Sequence, residues 1–274
     1  MYNRLDNKSG CAHKLFNTPP NYKNENVAQI AAAKIRNLKM LEIKNITFEV
    51  DGRKILDDIN LNVPDGQVIC LTGPNGGGKT TLAKMIAGVE LPTAGHIYLD
   101  GEDIVNMNPT ERAKRGVSYA FQQPVRFKGI TVRDMLDMAK GSKLTDEECK
   151  AALENVGLNA EAYINRPIDA KLSGGEIKRI EIAGVLLRDS KVVVFDEPEA
   201  GIDLWSFNNL IRVFEELRES RKCSIVIISH QERILKIADE IVMIQAGKVG
   251  LHGDKNKIFP SLLCDKDCDN CSIC

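Results

Sequence analysis

The segment Gly73-Pro-Asn-Gly-Gly-Gly-Lys79-Thr80 constrains the fold more than any other stretch of the chain. It has the form GxxxxGK[ST], a loop that wraps backbone N–H groups around phosphate oxygens. Four of its eight residues are glycine, which removes the side chains that would block so close an approach. At average glycine usage the pattern arises by accident in roughly one chain of this length in a hundred. Its flanks strengthen it. Gln67-Val-Ile-Cys-Leu-Thr72 is a short apolar run ending in glycine, the pattern of a buried strand. Thr80 to Ala87 is helix-patterned, and Gly88 is a stop signal. Strand, loop and helix in that order put the loop at a helix N-terminus, whose partial positive charge favours anions. The reading is an ATP site with Mg²⁺, contacted by Gly73, Pro74, Asn75, Gly76, Gly77, Gly78, Lys79, Thr80 and Thr81. Lys79 is expected to reach the β- and γ-phosphates, and the Thr80 hydroxyl to ligate Mg²⁺.

Two later apolar runs deliver chemistry to the same region. Lys191 to Phe195 ends in Asp196 and Glu197. Carboxylates at the C-terminal end of a parallel strand lie where ligands bind in open α/β sheets. Asp196 is expected to hold Mg²⁺, directly or through water, and Glu197 to act as general base on the attacking water. Cys223 to Ser229 leads to His230. A lone histidine is more often structural, but its place at a strand end after the carboxylate pair suits contact with the γ-phosphate.

With Leu172-Ser-Gly-Gly-Glu176 added, the chain resembles the ATP-binding-cassette (ABC) ATPases from about Met40 to about Leu263. The resemblance implies a phosphate-loop NTPase core of α/β class, with an N-terminal antiparallel β region and a helical subdomain at about 120–180. It implies that Ser173, Gly174 and Gly175, before a helical run from Glu176 to Arg188, face the γ-phosphate held by a second subunit. The partner would then be a second copy, joined head to tail on ATP binding. Gln122, in Ala-Phe-Gln-Gln-Pro, matches the family's glutamine that senses Mg²⁺ and the attacking water. Asp203, in Glu-Ala-Gly-Ile-Asp, matches its interface aspartate.

Organisation and composition fit such a cassette. Residues 1–39 are polar, with seven Lys/Arg against two acids, and read as a largely disordered arm. Residues 40–263 are expected to form the ATPase domain. Val132 to Gly157 is helical in pattern, with Thr145-Asp-Glu-Glu148 as a start signal and Gly157 as a stop. The net charge of −1 gives nucleic acid no obvious attraction. No window resembles a membrane span and no secretory signal is evident, so the expected location is cytoplasmic.

Two departures narrow the resemblance. Transporter cassettes place an aromatic upstream of the phosphate loop to stack on adenine; the matching position here is Val50, with Phe48 offset by two residues. That predicts loose base selectivity. Secondly, Ala120-Phe-Gln-Gln-Pro-Val125, Ser-Gly-Gly-Glu-Ile-Lys-Arg179 and Glu197-Pro-Glu-Ala-Gly-Ile-Asp203 resemble the ATPase subunit of the Suf iron–sulfur cluster assembly system. Its partners are soluble scaffold subunits. The competing partner is a membrane permease, and the chain would then be a transporter's ATP-binding subunit. Past the cassette, Cys264, Cys268, Cys271 and Cys274 crowd into residues 264–274. Such spacing lets thiolates converge on an iron–sulfur cluster or Zn²⁺, although it matches neither a ferredoxin run nor a zinc finger. An unliganded tail is the third reading.

Overall fold

The computed structural model describes residues 39–123, 127, 129–169 and 171–267. These lie in the unit Asn37–Cys274; the first unit, Met1–Arg36, falls outside them, as does the expected arm apart from Lys39.

The described chain opens with two long strands, β1 (Lys39–Val50) and β2 (Arg53–Pro64). Asp51 and Gly52 join them at φ 51° and 73°. Two successive positive φ values give the tight turn whose twist matches that of a hairpin. β3 (Val68–Thr72) and α1 (Lys79–Ala87) bracket the glycine-rich loop. β4 (Ala94–Leu99) and the short β5 (Glu102–Asp103) return to the first hairpin. Among the described residues these build an antiparallel sheet of order β2-β1-β4-β5.

After α2 (Pro109–Lys114) and β6 (Val117–Ala120) the chain turns helical. The stretch patterned as helix from Val132 divides into α3 (Val132–Lys140) and α4 (Asp146–Asn155). Gly141, left-handed at φ 77°, ends the first. Thr145 starts the second, its hydroxyl accepting from Glu148 N while Glu148 accepts from Thr145 N. That reciprocal arrangement satisfies two orphan donors. Then follow α5 (Ala160–Tyr163) and α6 (Gly174–Leu186).

The remainder alternates strand and helix: β7 (Val192–Asp196), α7 (Leu204–Ser220), β8 (Ser224–Ile228), α8 (Glu232–Ile237), β9 (Glu240–Gln245), β10 (Lys248–Asp254) and α9 (Lys255–Asp267). The second sheet runs β10-β9-β3-β8-β7-β6, parallel except for the edge strand β10. Its central strands are buried on both faces, as parallel strands between helices must be. Alternation sends Ile69, Leu71, Val192, Val194, Val226 and Ile228 into the core shared with the antiparallel sheet and α1. Val68, Cys70, Val193, Phe195, Ile225 and Ile227 face the core shared with the later helices. Each such buried aliphatic side chain is worth about 1.5–3 kcal/mol. With both faces covered, the strand ends are left to carry chemistry. The C-terminal ends of β3, β7 and β8 bring Gly73, Asp196 and Ser229 to one edge.

No helix among the described residues is long and apolar enough to cross a membrane. The sequence reading starts the cysteine-rich tail at Cys264, but α9 continues to Asp267 and covers its first four residues. Cys268, Cys271 and Cys274 lie outside the described residues.

Candidate functional site

The loop between β3 and α1 closes on itself. Lys79 donates from Nζ to the carbonyls of Gly73 at 2.6 Å and Pro74 at 2.9 Å. Two of its glycines are sterically required. A Cβ on Gly73, at φ 124°, would meet the Ile244 carbonyl at 2.1 Å, and one on Gly78, at φ 106°, would meet Leu56 Cδ2 at 2.5 Å. Burial lowers the Lys79 pKa, while Glu197 and Asp196 oppose that shift. The loop lines a cavity of about 500 Å³ together with Arg53, Ile55, Gln122 and Glu197.

Asp196 ends β7 fully buried. Its Oδ1 accepts from Thr80 Oγ1 at 3.2 Å and its Oδ2 from the Tyr119 hydroxyl at 2.9 Å. Burial pushes its pKa up, and the two hydroxyl donors pull it back. A hydroxyl and a carboxylate this close are a hard-oxygen pair suited to Mg²⁺ that keeps several waters. The next residue, Glu197, takes φ 44° while its N–H donates to Ile228 O at 3.0 Å. Such a backbone costs a non-glycine residue about 1–2 kcal/mol. Its carboxylate accepts from Gln122 Nε2 at 2.6 Å. Lys79, Thr80, Gln122, Asp196 and Glu197 are therefore gathered at one place.

Other expected residues lie elsewhere. His230 is exposed, with Nδ1 3.5 Å from Thr72 Oγ1. It lines a second cavity of about 500 Å³ with Thr72, Pro74, Asn75, Leu235 and Phe259, not the one that holds Glu197. Ser173 caps α6, accepting from Glu176 N at 3.2 Å and donating from its own N–H to Glu176 at 2.6 Å. Ser173, Gly174 and Gly175 do not line the phosphate-loop cavity. A Cβ on Gly175 would meet Gly201 O at 2.8 Å, so α6 rests on the loop that leads to Asp203. Asp203 accepts from Ser206 N at 3.0 Å and starts α7.

Sequence reasoning gave no role to Lys178, Tyr119, Glu181, Arg53 or Ile55. Lys178 is fully buried. Its ammonium donates to Phe121 O, to Gln122 O at 3.2 Å and to Asp196 O at 3.4 Å. Glu181 accepts from Phe121 N at 3.0 Å. Charges three apart at the middle of an apolar helix, Lys178 and Glu181, were the available signal, because a buried helix face tolerates charge only with partners.

A sequence model of the ABC transporter family matches residues 56–200. The chain belongs to this family. As an ABC ATPase it binds and hydrolyses ATP. An uncharacterized ABC transporter ATP-binding protein of Methanocaldococcus jannaschii is 36% identical over 243 residues, covering 86% of this chain and 96% of the relative. The ADP conformation of an ATP-binding cassette of an ABC transporter superposes with a TM-score of 0.72 at 27% identity, covering 84% and 96% of the two chains. A dimeric post-hydrolysis cassette bound to ADP and Pi gives a TM-score of 0.72 at 22% identity, covering 79% and 99%, and shows the shared fold. The first two of these proteins carry transporter names. They support the ABC family and not, specifically, the Suf branch that the loop segments resemble.

Proposed function

We propose that the chain is the ATP-driven subunit of a larger assembly, working as a head-to-tail pair of copies with two ATP molecules between them. One observation carries this. The cavity joins Lys79, Thr80, Gln122 and Glu197, whereas Ser173 and Gly174 stand outside it, with open space around the Gly174 Cα. Their exposed helix N-terminus suits an anion, and a second copy supplies one. In this reading the glycine-rich loop and Lys79 bind the phosphates. Thr80, Asp196 and Gln122 hold Mg²⁺, which supplies charge neutralisation on the phosphate oxygens. Glu197 accepts the water's proton, and Asp203 works across the dimer interface.

The partner sits on a groove of about 210 Å³ lined by Tyr119, Phe121, Phe127, Met135 and Val185. Phe127 is 41% exposed there. Buried Glu181 also lines the groove, and its Oε2 has no hydrogen-bond partner. The occupant we assign is a segment of a membrane permease bearing a cationic or N–H donor for Glu181. The transporter names of the relatives support that assignment.

A second reading keeps the Suf-type scaffold as partner. One Suf-like segment, residues 120–125, gives Phe121 to this groove, and Lys178 from another fixes the Phe121 and Gln122 carbonyls. In that reading Cys264, Cys268, Cys271 and Cys274 hold an iron–sulfur cluster or Zn²⁺. Among the described residues no group of three or more metal-ligating side chains is assembled. Both readings place the chain in the cytoplasm. Affinity isolation of the tagged chain tests them: a polytopic membrane protein supports the first, a soluble β-rich scaffold the second, and recovery of neither contradicts the assembly.

A further inference from the structure

Resting on the nucleotide site proposed above, we propose that Arg53 holds the base of the bound nucleotide, its guanidinium laid flat against the purine with Ile55 at the edge. The cavity has two ends. Gln122 and Glu197, beside Thr80 and Asp196, mark the end where the terminal phosphate must sit. Apart from the loop itself, the remaining lining is Arg53 and Ile55. A triphosphate seated on the loop therefore directs its nucleoside toward these two residues.

The backbone fixes them there. Arg53 is the first residue of β2, paired with Val50 across the Asp51-Gly52 turn. Arg53 and Ile55 both line the cavity across the irregularity in the β1–β2 register, while Lys54 is held by Asp57, to which it donates at 2.7 Å. The start of β2 is clamped to the phosphate loop. A Cβ on Gly78 would meet Ile55 O at 3.0 Å, one on Gly247 would meet it at 2.6 Å, and Asp57 N donates to Gly247 O at 2.8 Å.

The residues that sequence alignment puts forward for the base are placed otherwise. Val50 is 44% exposed and does not line the cavity. Phe48 pairs with Leu56 and packs against the core between the sheets. No aromatic side chain lines the cavity among the described residues. A guanidinium is planar and cationic and stacks on π faces. Every base offers such a face, so the contact discriminates weakly between purines. Beside a polyphosphate the same charge makes affinity sensitive to salt.

Calorimetric titration of the full chain with Mg-ATP, Mg-GTP and inorganic tripolyphosphate tests the assignment. Arg53→Ala should weaken both nucleotides by about tenfold, within the range of one stacked base, and leave tripolyphosphate within about twofold. Arg53→Lys, which keeps the charge and loses the plane, should behave like alanine toward the nucleotides. Arg53→Tyr should keep ATP affinity within about threefold of wild type and lose part of its salt dependence. Equal weakening of ATP and tripolyphosphate would make Arg53 a phosphate contact and overturn the proposal, as would unchanged ATP affinity in Arg53→Ala. Wild-type protein that binds neither ATP nor tripolyphosphate would instead overturn the nucleotide site on which the proposal rests.

Discussion

Gln122 donates from Nε2 to Glu197 Oε2 at 2.6 Å. The bond joins the loop beside the apolar groove to the strand end that carries the acidic pair. Lys178 and Glu181 on α6 hold the same loop by its Phe121 and Gln122 backbone groups. Anything seated on the groove that shifts this loop will therefore change how Glu197 is held. In the proposed function this is a physical route from the partner to the carboxylate that accepts the water's proton.

Gln122→Ala should lower the rate of phosphate release by about tenfold or more, because Glu197, the proposed general base, loses the donor that orients it. ATP affinity should stay within about threefold, since Lys79 and the loop are untouched. Single-turnover phosphate release and equilibrium binding separate the two effects. Unchanged turnover would show that Glu197 is positioned by other contacts.

Ser173→Arg should bind ATP as a monomer and fail to dimerise, because the bulky cation occupies the space meant for the partner's phosphate. Ser173 also caps α6, and losing the cap costs about 1 kcal/mol. Ser173→Ala loses the cap without adding bulk, so it should still dimerise in size exclusion with Mg-ATP. Dimers in both variants would count against a role for Ser173 in trans.

Much of this was readable from residue order, for reasons the structure makes concrete. Val68–Thr72, Val192–Asp196 and Ser224–Ile228 are apolar because both faces of the sheet are covered, and each ends where its next residue can do chemistry. The base position was not readable. Alignment of the first strand turn puts Val50 there with Phe48 two residues away, but the β1–β2 register shifts between Ile46 and Phe48 and again between Phe48 and Glu49. A shift of one residue reverses the face of every side chain beyond it. Lys178 and Glu181, three apart on an otherwise apolar helix, signal buried charges that need partners, but not which partners. The burial of Lys178 depends on a loop more than fifty positions earlier, and no local pattern encodes that. His230 and Glu197 both follow parallel strands but line different cavities, an arrangement that residue order does not encode.

Burial raises the Glu181 carboxyl above its ordinary value, while Lys178 and the Phe121 N–H act against that. A raised native pKa means the folded chain keeps this proton after the unfolded chain has released it. The associated stability is complete below the unfolded value, near 4.5, and is lost as pH rises through the native value. Glu181→Gln cannot ionise, so its stability should fall less than that of wild type over this window. Urea unfolding at steps from about pH 4.5 upward compares the two; parallel curves would mean that Glu181 does not titrate with folding.

The cysteine segment bears on the Suf reading. Protein purified without oxygen should show charge-transfer absorption in the visible, abolished by Cys268→Ser with Cys271→Ser, while basal ATP hydrolysis persists. A colourless protein with stoichiometric zinc would make the segment a structural metal site. A metal-free protein, even after reconstitution with iron and sulfide, would leave the cassette without a cluster.

The central claim is a hydrolytic site completed by a second copy of the chain, and Glu197→Gln tests it most directly. The amide keeps the shape of the side chain but cannot accept the water's proton. With Mg-ATP the variant should elute as a stable dimer retaining two nucleotides, its steady-state turnover reduced by about a hundredfold or more. A Glu197→Gln protein that stays monomeric with ATP bound, or that turns over at the wild-type rate, would contradict the account.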